Sequence, residues 1–203
     1  RLDAYVREHE NVPEEDLVDQ KFAVQDDNAQ RLRTKMQIAM RRIQHARFAN
    51  ITCETAVNNL KREDNGEFYF RPSSRGTNHL TLTWKFFETN IVHIDIEEFD
   101  KAVGANIGSR LKISNEYYET LQEIVERYIT PCNRSLRDVT LHPKFLRSKS
   151  MDVMKDALEK EKLQDASKIP YRVTILDAYP QHLILAYIPK TEVVREFIKV
   201  KPR

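Results

Sequence analysis

Residues 67–84 read EFYFRPSSRGTNHLTLTW, and their side-chain pattern sets the fold expected for the chain. Apolar and polar residues alternate on both sides of a small polar turn, PSSRG at 72–76, which predicts an antiparallel hairpin. In the first strand Phe68 and Phe70 face one side, while Tyr69 and Arg71 face the other. In the second strand three apolar residues alternate with three polar ones: Leu80, Leu82 and Trp84 with Thr81, Thr83 and Lys85.

The turn places the chemistry of a phosphate-binding site beside Arg71. The guanidinium offers a planar fork, Ser73 and Ser74 offer hydroxyls, and Arg75 and the turn amides add further donors. A structural ion pair is the alternative role for Arg71, but it needs neither the hydroxyls nor a second arginine. Each charge-assisted hydrogen bond to a phosphate would contribute about 1.5–3 kcal/mol. We therefore predict that Arg71 and the turn residues Ser73, Ser74 and Arg75 bind phosphate.

The composition predicts a soluble globular chain of one or two domains, with 203 residues of which 40% are hydrophobic and 32% charged. No apolar run approaches the roughly 18 residues of a membrane span, and the N-terminal region lacks a signal-peptide core. Cys53 and Cys132 have no CxxC spacing, which predicts a reducing compartment and neither a disulfide framework nor a zinc site. We expect no cofactor, and because the chain begins at Arg1 we expect a fragment of a larger protein.

The net charge of +2 conceals a segregation of charge along the chain. Residues 1–30 hold nine acidic and three basic side chains, residues 31–48 hold six basic and no acidic ones, and residues 133–203 hold fifteen basic and nine acidic ones. This pattern favours an anionic partner, with a merely solvated basic surface as the alternative. Residues 1–27 are interpreted as an acidic linker, and Leu32, Met36, Met40 and Ile43 predict an amphipathic helix over 28–43.

Further elements follow from the same kind of pattern. After the segment HARF at 45–48, a short helix is predicted with Cys53, Val57 and Leu60 on one face, and alternation over 91–96 predicts a third strand. Ser114 is expected to cap a second helix that ends at Pro131. Its apolar stripe comprises Leu121, Ile124, Val125, Tyr128 and Ile129.

The order of motifs then repeats. HPKF at 142–145 matches HARF at 45–48, a helix carries Met151, Met154 and Leu158, and HLILAY at 182–187 follows a strand at 171–176 and matches HLTLTW at 79–84. We predict an α+β fold with two copies of one unit, each a central antiparallel sheet flanked by two helices. The predicted division is 1–44 (acidic linker and basic helix), 45–132 (first unit) and 133–203 (second unit). The second copy lacks a closing helix, so we expect the protein to continue past Arg203.

The remaining candidates favour a binding protein over an enzyme. His93, on the same side of the third strand as Asp95, could line the phosphate pocket or simply be packed. The four histidines of the repeated motifs are expected to be structural, and neither cysteine lies in a strand-to-helix loop suited to a nucleophile. A nucleic-acid-binding module that uses the basic stretch 31–47 and the basic second copy is the competing function. Against it, the aromatic residues fall at core spacing rather than on a stacking surface.

Several of these motifs resemble a known family. FRPSS at 70–74, HLTLTW at 79–84 and VHIDI at 92–96 resemble a Src homology 2 domain. RPSSRGTNHLTLTWK at 71–85 is similar to the first member of the tandem pair in the Suppressor-of-Ty 6 family, and the resemblance covers roughly residues 40–203. That family comprises nuclear transcription elongation factors and histone chaperones.

The resemblance implies roles for individual residues. Arg71 matches the central phosphate-binding arginine, Ser73 and Ser74 match the pocket hydroxyls, and His93 matches the pocket wall. It also implies a nuclear, non-enzymatic module that binds a phosphorylated segment of the largest RNA polymerase II subunit, in the linker before its C-terminal repeats. Members of the family accept phosphoserine, phosphothreonine and phosphotyrosine. We expect a monomer, no membrane contact and at most weak nucleic-acid binding.

The second copy departs from this pattern. An ungapped alignment of His182 with His79 puts Thr174 opposite Arg71, and Leu176 and Asp177 opposite the serines. The second unit is therefore expected either to buttress the first or to bind through scattered basic residues. These are Lys144, Arg147, Lys149, Arg172, Lys199 and Lys201.

Overall fold

The computed structural model describes residues 41–148 and 150–202, which form two antiparallel sheets with helices packed against them. No helix in these ranges is long and apolar enough to cross a membrane. The elements in chain order are α1 (Cys53–Leu60), β1 (Phe68–Pro72), β2 (His79–Phe87), β3 (Asn90–Phe99), β4 (Arg110–Ile113), β5 (Glu116–Tyr118), α2 (Leu121–Ile124), a π-helical turn (Val125–Ile129), α3 (Thr130–Thr140), α4 (Met151–Gln164), β6 (Tyr171–Thr174), β7 (His182–Tyr187) and β8 (Val194–Lys199).

The first sheet has the order β1-β2-β3-β4-β5 and contains the predicted hairpin. Arg71 pairs with Thr81, and Phe70 pairs with Leu82, as the alternation predicts. The apolar face of the hairpin belongs to the main hydrophobic core, where Trp84 is fully buried and donates from Nε1 to Oδ1 of Asn133 on α3. The opposite, polar face of the sheet is therefore the face on which a site can form.

Helix α1 packs on this polar face. Thr52 caps it by accepting a hydrogen bond from the amide of Thr55, and the carbonyl of Lys61 beyond its end accepts from Nζ of Lys85 on β2. The helix buries Ala56 and Leu60, whereas Cys53 is exposed. The predicted apolar face was therefore wrong at Cys53, whose side chain is exposed in the first turn of α1 and lies beside the ring of His93.

The second helix begins and ends at other residues than predicted. Ser114 lies in the turn between β4 and β5 with a φ of +54°, and Thr120 caps α2 instead by accepting from the amide of Glu123. Pro131 does not end the helix, because the preceding turn is π-helical and its wider winding accommodates a proline ring without an N–H. The continuous helix crosses the boundary at 132/133, so the unit limits of 45–132 and 133–203 stay a prediction.

The two repeats have the same backbone arrangement at their motifs. The amide of Phe70 donates to the carbonyl of Arg47, and the carbonyl of Phe70 accepts from the amide of Ala49. In the second unit Val173 makes the same pair of bonds with Lys144 and Leu146. Since Val173 therefore takes the place of Phe70, the next residue, Thr174, takes the place of Arg71, as the ungapped alignment predicts.

The first histidine of each motif has the same structural function. Nδ1 of His45 accepts a hydrogen bond from the amide of Arg47 at 3.1 Å, and Nδ1 of His142 accepts from the amide of Lys144 at the same distance. Each histidine thus closes the tight turn that leads its unit into the sheet. The predicted structural role of His45 and His142 is confirmed by these contacts.

The two units pack directly on each other. Phe87 on β2 meets Phe145 edge to face, with 5.5 Å between ring centroids. Nδ2 of Asn90 donates to the carbonyl of Leu176 at 3.1 Å, and Nε2 of Gln181 donates to the hydroxyl of Tyr128 at 2.7 Å. Apolar residues of the second unit, Ile175, Leu183 and Val200, belong to the same core as the first sheet.

The segment that leads into the first unit is anchored by a buried arginine. Arg41 pairs with the buried carboxylate of Glu98 at 2.6 Å and donates to the carbonyl of Asn106, and Gly108 donates its amide to the same carboxylate. Residues 41–43 are not helical, which corrects the end of the helix predicted over 28–43. The rest of that helix and the linker at 1–27 lie outside the described residues.

Candidate functional site

Arg71 is held on β1 with its guanidinium inside the protein. The side chain is 8% exposed; Nε donates to Oγ1 of Thr83 at 2.9 Å and Nη1 donates to the carbonyl of Pro72 at 3.2 Å. Within residues 41–148 and 150–202, no carboxylate pairs with it and no group accepts from Nη2. Burial lowers the pKa of Arg71, which means that its charge is held at a desolvation cost that an anionic ligand would offset.

The turn after β1 is shaped by its own residues. Ser73 is buried, and its Oγ accepts from the amide of Arg75 at 3.2 Å, so the hydroxyl hydrogen is still available to a ligand. Ser74 is exposed, and Gly76 closes the turn at a φ of +136°, where other residues are strained. The two serines thus lie directly beyond Arg71, one ordering the turn and the other facing solvent.

Arg75 is held beside the site by a carboxylate on β3. Its Nη1 lies 3.1 Å from Oδ2 of Asp95, which also lies 3.0 Å from Nδ1 of His79. The side chain of Arg75 remains 68% exposed, so the pair is weak and can rearrange around a ligand. The carboxylate of Asp95 therefore contacts Arg75 and His79, and it does not pair with Arg71.

His93, which is predicted to line the site, is linked to Arg71 through the hydroxyl of Thr83. Its Nδ1 lies 3.1 Å from Oγ1 of Thr83, and its Nε2 lies 3.6 Å from Sγ of Cys53. Burial and, to a smaller extent, the positive charge of Arg71 lower the pKa of His93. A neutral ring fits the hydrogen bonds, since Thr83 can accept from Arg71 and donate to Nδ1 of His93.

Thr83 and Cys53 belong to the site although neither was among the predicted site residues. Thr83 connects Arg71 to His93 through one hydroxyl, and Cys53 reaches the same ring from α1. The signal for Thr83 was available, because it shares a strand face with Thr81, the partner of Arg71. No local pattern could place Cys53 there, because its position depends on how α1 packs on the sheet.

The second unit has Thr174 at the position that corresponds to Arg71. Thr174 is buried, and its hydroxyl lies within hydrogen-bond distance of the carbonyls of Leu146 and Ser148, which ties the lead-in segment to β6. Arg172 and Lys144 both pair with Glu161 of α4. Burial alone would raise the pKa of Glu161, but the two cations together lower it. These two cations of the predicted secondary set are therefore already compensated.

The other predicted secondary residues are placed differently. Arg147, Lys199 and Lys201 are exposed, and Lys149 lies outside the described residues. Lys199 lines a surface cleft between the units together with Gln181 from the second unit and His93, Asp95 and Lys112 from the first. The fold thus brings Lys199 to a cleft that His93 also lines, whereas Lys144 and Arg172 are paired with Glu161.

The donors of the candidate site are suited to hold an anion. Arg71, the hydroxyls of Ser73 and Ser74, and the exposed Arg75 supply the positive charge and the hydrogen-bond donors that a phosphate dianion requires. Burial raises the pKa of Cys132 to about 12, so this thiol is not a nucleophile at neutral pH.

Comparison with known proteins gives one consistent result. The SH2 domain family model matches residues 13–203. Transcription elongation factor SPT6 of Drosophila melanogaster is 35% identical over 185 residues, which is 88% of this chain and 10% of that protein. This chain thus spans about a tenth of the length of the curated relatives it matches.

Two solved structures share the fold. The tandem SH2 domains of Antonospora locustae Spt6 are 26% identical, with a TM-score of 0.64 over 78% of this chain and 81% of that chain. The second is a tandem SH2 domain in transcription elongation factor Spt6 that binds the phosphorylated RNA polymerase II C-terminal repeat domain. It is 24% identical, with a TM-score of 0.74 over 79% of this chain and 83% of that chain, and it supports the fold alone.

Proposed function

The chain belongs to the SH2 domain family, in the tandem form of the SPT6 elongation factors, and on this premise we propose that it binds phosphorylated peptides through Arg71. The observation that carries the proposal is the buried guanidinium, which has no carboxylate partner among the described residues. A structural arginine would be paired, as Arg172 is with Glu161 in the second unit. Arg71 instead keeps N–H donors without an acceptor among the described residues, and a turn with two hydroxyls follows it in the chain.

The partner that fits best is phosphorylated RNA polymerase II. A structural neighbour, the tandem SH2 domain of an Spt6 protein, binds the phosphorylated C-terminal repeat domain of that polymerase. We infer that this chain recruits a nuclear elongation factor to the largest polymerase subunit. We further propose that the phosphorylated segment lies in the linker that precedes the repeats, as the resemblance to the Suppressor-of-Ty 6 family implies.

The two units contribute unequally in this proposal. The first supplies the phosphate site, while the second fixes the first through Phe145, Leu176 and Gln181 and presents Lys199 along the shared cleft. A peptide that leaves the Arg71 site across β3 would therefore meet a cation of the second unit. This assigns the second unit a supporting role in binding.

Nucleic-acid binding is the alternative, and the described part of the basic stretch argues against it. Arg41 is buried in its pair with Glu98, and Arg47 pairs with Glu63 and Glu67. Neither guanidinium is free to neutralise backbone phosphates, which is the main source of affinity for nucleic acid. Within residues 41–48, this leaves Arg42 as the cation without such a carboxylate partner.

A fluorescence titration separates the two functions. Labelled linker phosphopeptide and labelled single-stranded RNA are each titrated with the chain at about 50 mM and about 200 mM salt, a range over which nucleic-acid affinity falls steeply. We expect the phosphopeptide to bind at micromolar strength or better, and to lose affinity on Arg71→Ala. RNA binding that is tighter, steeply dependent on salt and indifferent to Arg71→Ala would replace this function with the alternative.

An array of peptides tests the assignment to the linker. It carries overlapping segments of the linker and of the C-terminal repeats, each in phosphorylated and unphosphorylated form, and is probed with wild type and Arg71→Ala. Linker phosphopeptides should give the Arg71-dependent signal. A signal confined to repeat peptides would retain the phosphopeptide function and move the binding segment.

A further inference from the structure

The candidate site carries an exposed thiol to which the proposed function assigns no role. Cys53 is the first residue of α1, and its Sγ lies 3.6 Å from Nε2 of His93. Because His93 is joined to Arg71 through the hydroxyl of Thr83, the thiol lies within a short chain of contacts from the guanidinium. A group attached to this sulfur would therefore occupy space at the mouth of the phosphate site.

The guanidinium is an independent sign that an anion belongs at this place. Arg71 is more than nine-tenths buried, yet among the described residues nothing accepts from Nη2 and no carboxylate pairs with it. Arg75 adds a second, mostly exposed guanidinium beside it. A carboxylate carried by an adduct on Cys53 would thus find the partners that a phosphate finds.

We propose that Cys53 is a redox modification site that closes the phosphate site, with small anionic disulfides such as glutathione disulfide as the reagent. The thiolate of Cys53 attacks one sulfur of the disulfide, the S–S bond breaks, and one glutathione leaves as a thiolate that takes up the proton released by Cys53. The product is a mixed disulfide, and a second thiol reverses the step by the same exchange. This regulation rests on the proposed function, since it acts on the same site.

The chain supplies an internal comparison for this chemistry. Cys132 is fully buried in the core, and burial raises its pKa to about 12. It is therefore both inaccessible and protonated under conditions in which Cys53 is exposed to solvent. Modification should be confined to one of the two cysteines of the folded chain.

The experiment treats wild type and Cys53→Ser with glutathione disulfide and follows adducts by intact mass and peptide mapping. Affinity for a fluorescein-labelled phosphothreonine peptide from the polymerase linker is measured before treatment, after it, and after reduction with dithiothreitol. Wild type should gain one glutathione at Cys53, lose affinity by about tenfold or more, and regain it on reduction. Cys53→Ser should keep its own starting affinity throughout.

A cationic disulfide tests the role of charge. Cystamine undergoes the same exchange as glutathione disulfide, but carries ammonium groups in place of carboxylates. We expect glutathione disulfide to modify Cys53 faster than cystamine by about threefold or more, and Arg71→Met to reduce this preference.

Two results overturn the inference while leaving the phosphopeptide function intact: no adduct at Cys53, or an adduct that leaves the affinity of an Arg71-dependent phosphopeptide unchanged. If untreated wild type does not distinguish the phosphopeptide from its unphosphorylated form, the proposed function fails and this regulation falls with it.

Discussion

Replacing Arg71 by methionine separates a ligand-binding arginine from a structural one. Methionine keeps most of the buried apolar stem and removes only the charged fork. Of the five N–H donors of Arg71, one on Nε and one on Nη1 are occupied by Thr83 and Pro72, so the others are available to a phosphate.

The size of the effect follows from these donors. Two charge-assisted bonds of about 1.5–3 kcal/mol each, partly compensated by water, make the expected loss about 3–5 kcal/mol, or about two to three and a half powers of ten in Kd. Stability should change much less. The substitution removes two internal hydrogen bonds, which destabilises the folded state. It also removes a buried charge that has no carboxylate partner among the described residues, which stabilises it. Because these effects oppose each other, the free energy of unfolding should stay within about 1 kcal/mol of wild type.

Isothermal titration with a linker phosphopeptide and urea denaturation measure the two quantities on the same samples. Arg172→Met is the matched control, because Arg172 is a strand arginine of the second sheet that pairs with Glu161. It should lower stability by up to about 1 kcal/mol and leave Kd within about threefold of wild type. Arg71 is not a ligand-binding residue if Arg71→Met binds the phosphopeptide as wild type does, or if the main effect of the substitution is on unfolding.

Three further predictions follow from contacts around the site and the core. Thr83→Val removes the hydroxyl between Arg71 and His93 with little change in shape, and should weaken phosphopeptide binding about five- to tenfold by fluorescence anisotropy. Glu98→Gln breaks the buried pair with Arg41 and should lower the free energy of unfolding by about 3–5 kcal/mol in urea. Burial lowers the pKa of His45 and of His93, so below about pH 6.5 the folded state binds fewer protons than the unfolded state and stability should fall as pH falls. Denaturation midpoints at about pH 7.5 and about pH 5.5 check this, and His45→Asn should flatten the dependence.

Local alternation was sufficient to predict the part of the fold that carries the site. The period of two in residues 68–71 and 79–85 assigns Arg71 to the same face as Thr81, and the observed register confirms this assignment. The repeated motifs were also informative, because each histidine makes its turn through the same short-range bond. Strand alignment through these motifs placed Thr174 opposite Arg71 without any structural information.

Features that depend on packing or on irregular geometry were missed. The π-helical turn before Pro131 has no simple sequence pattern, so the proline was interpreted as a helix end. β8 was not predicted, because all of its side chains are exposed and the strand shows no burial period. Two contacts could not be predicted because each depends on how a helix packs on a sheet: the contact of Cys53 with His93 and the ion pair of Arg172 with Glu161.

The proposed function requires that this chain recognise a phosphate group on a peptide. The most direct measurement is a calorimetric titration of wild type with one polymerase linker peptide, prepared with and without its phosphate group. We predict micromolar or tighter binding of the phosphorylated peptide, and binding of the unphosphorylated one that is weaker by about a hundredfold or more. Equal affinity for the two peptides would contradict the claim.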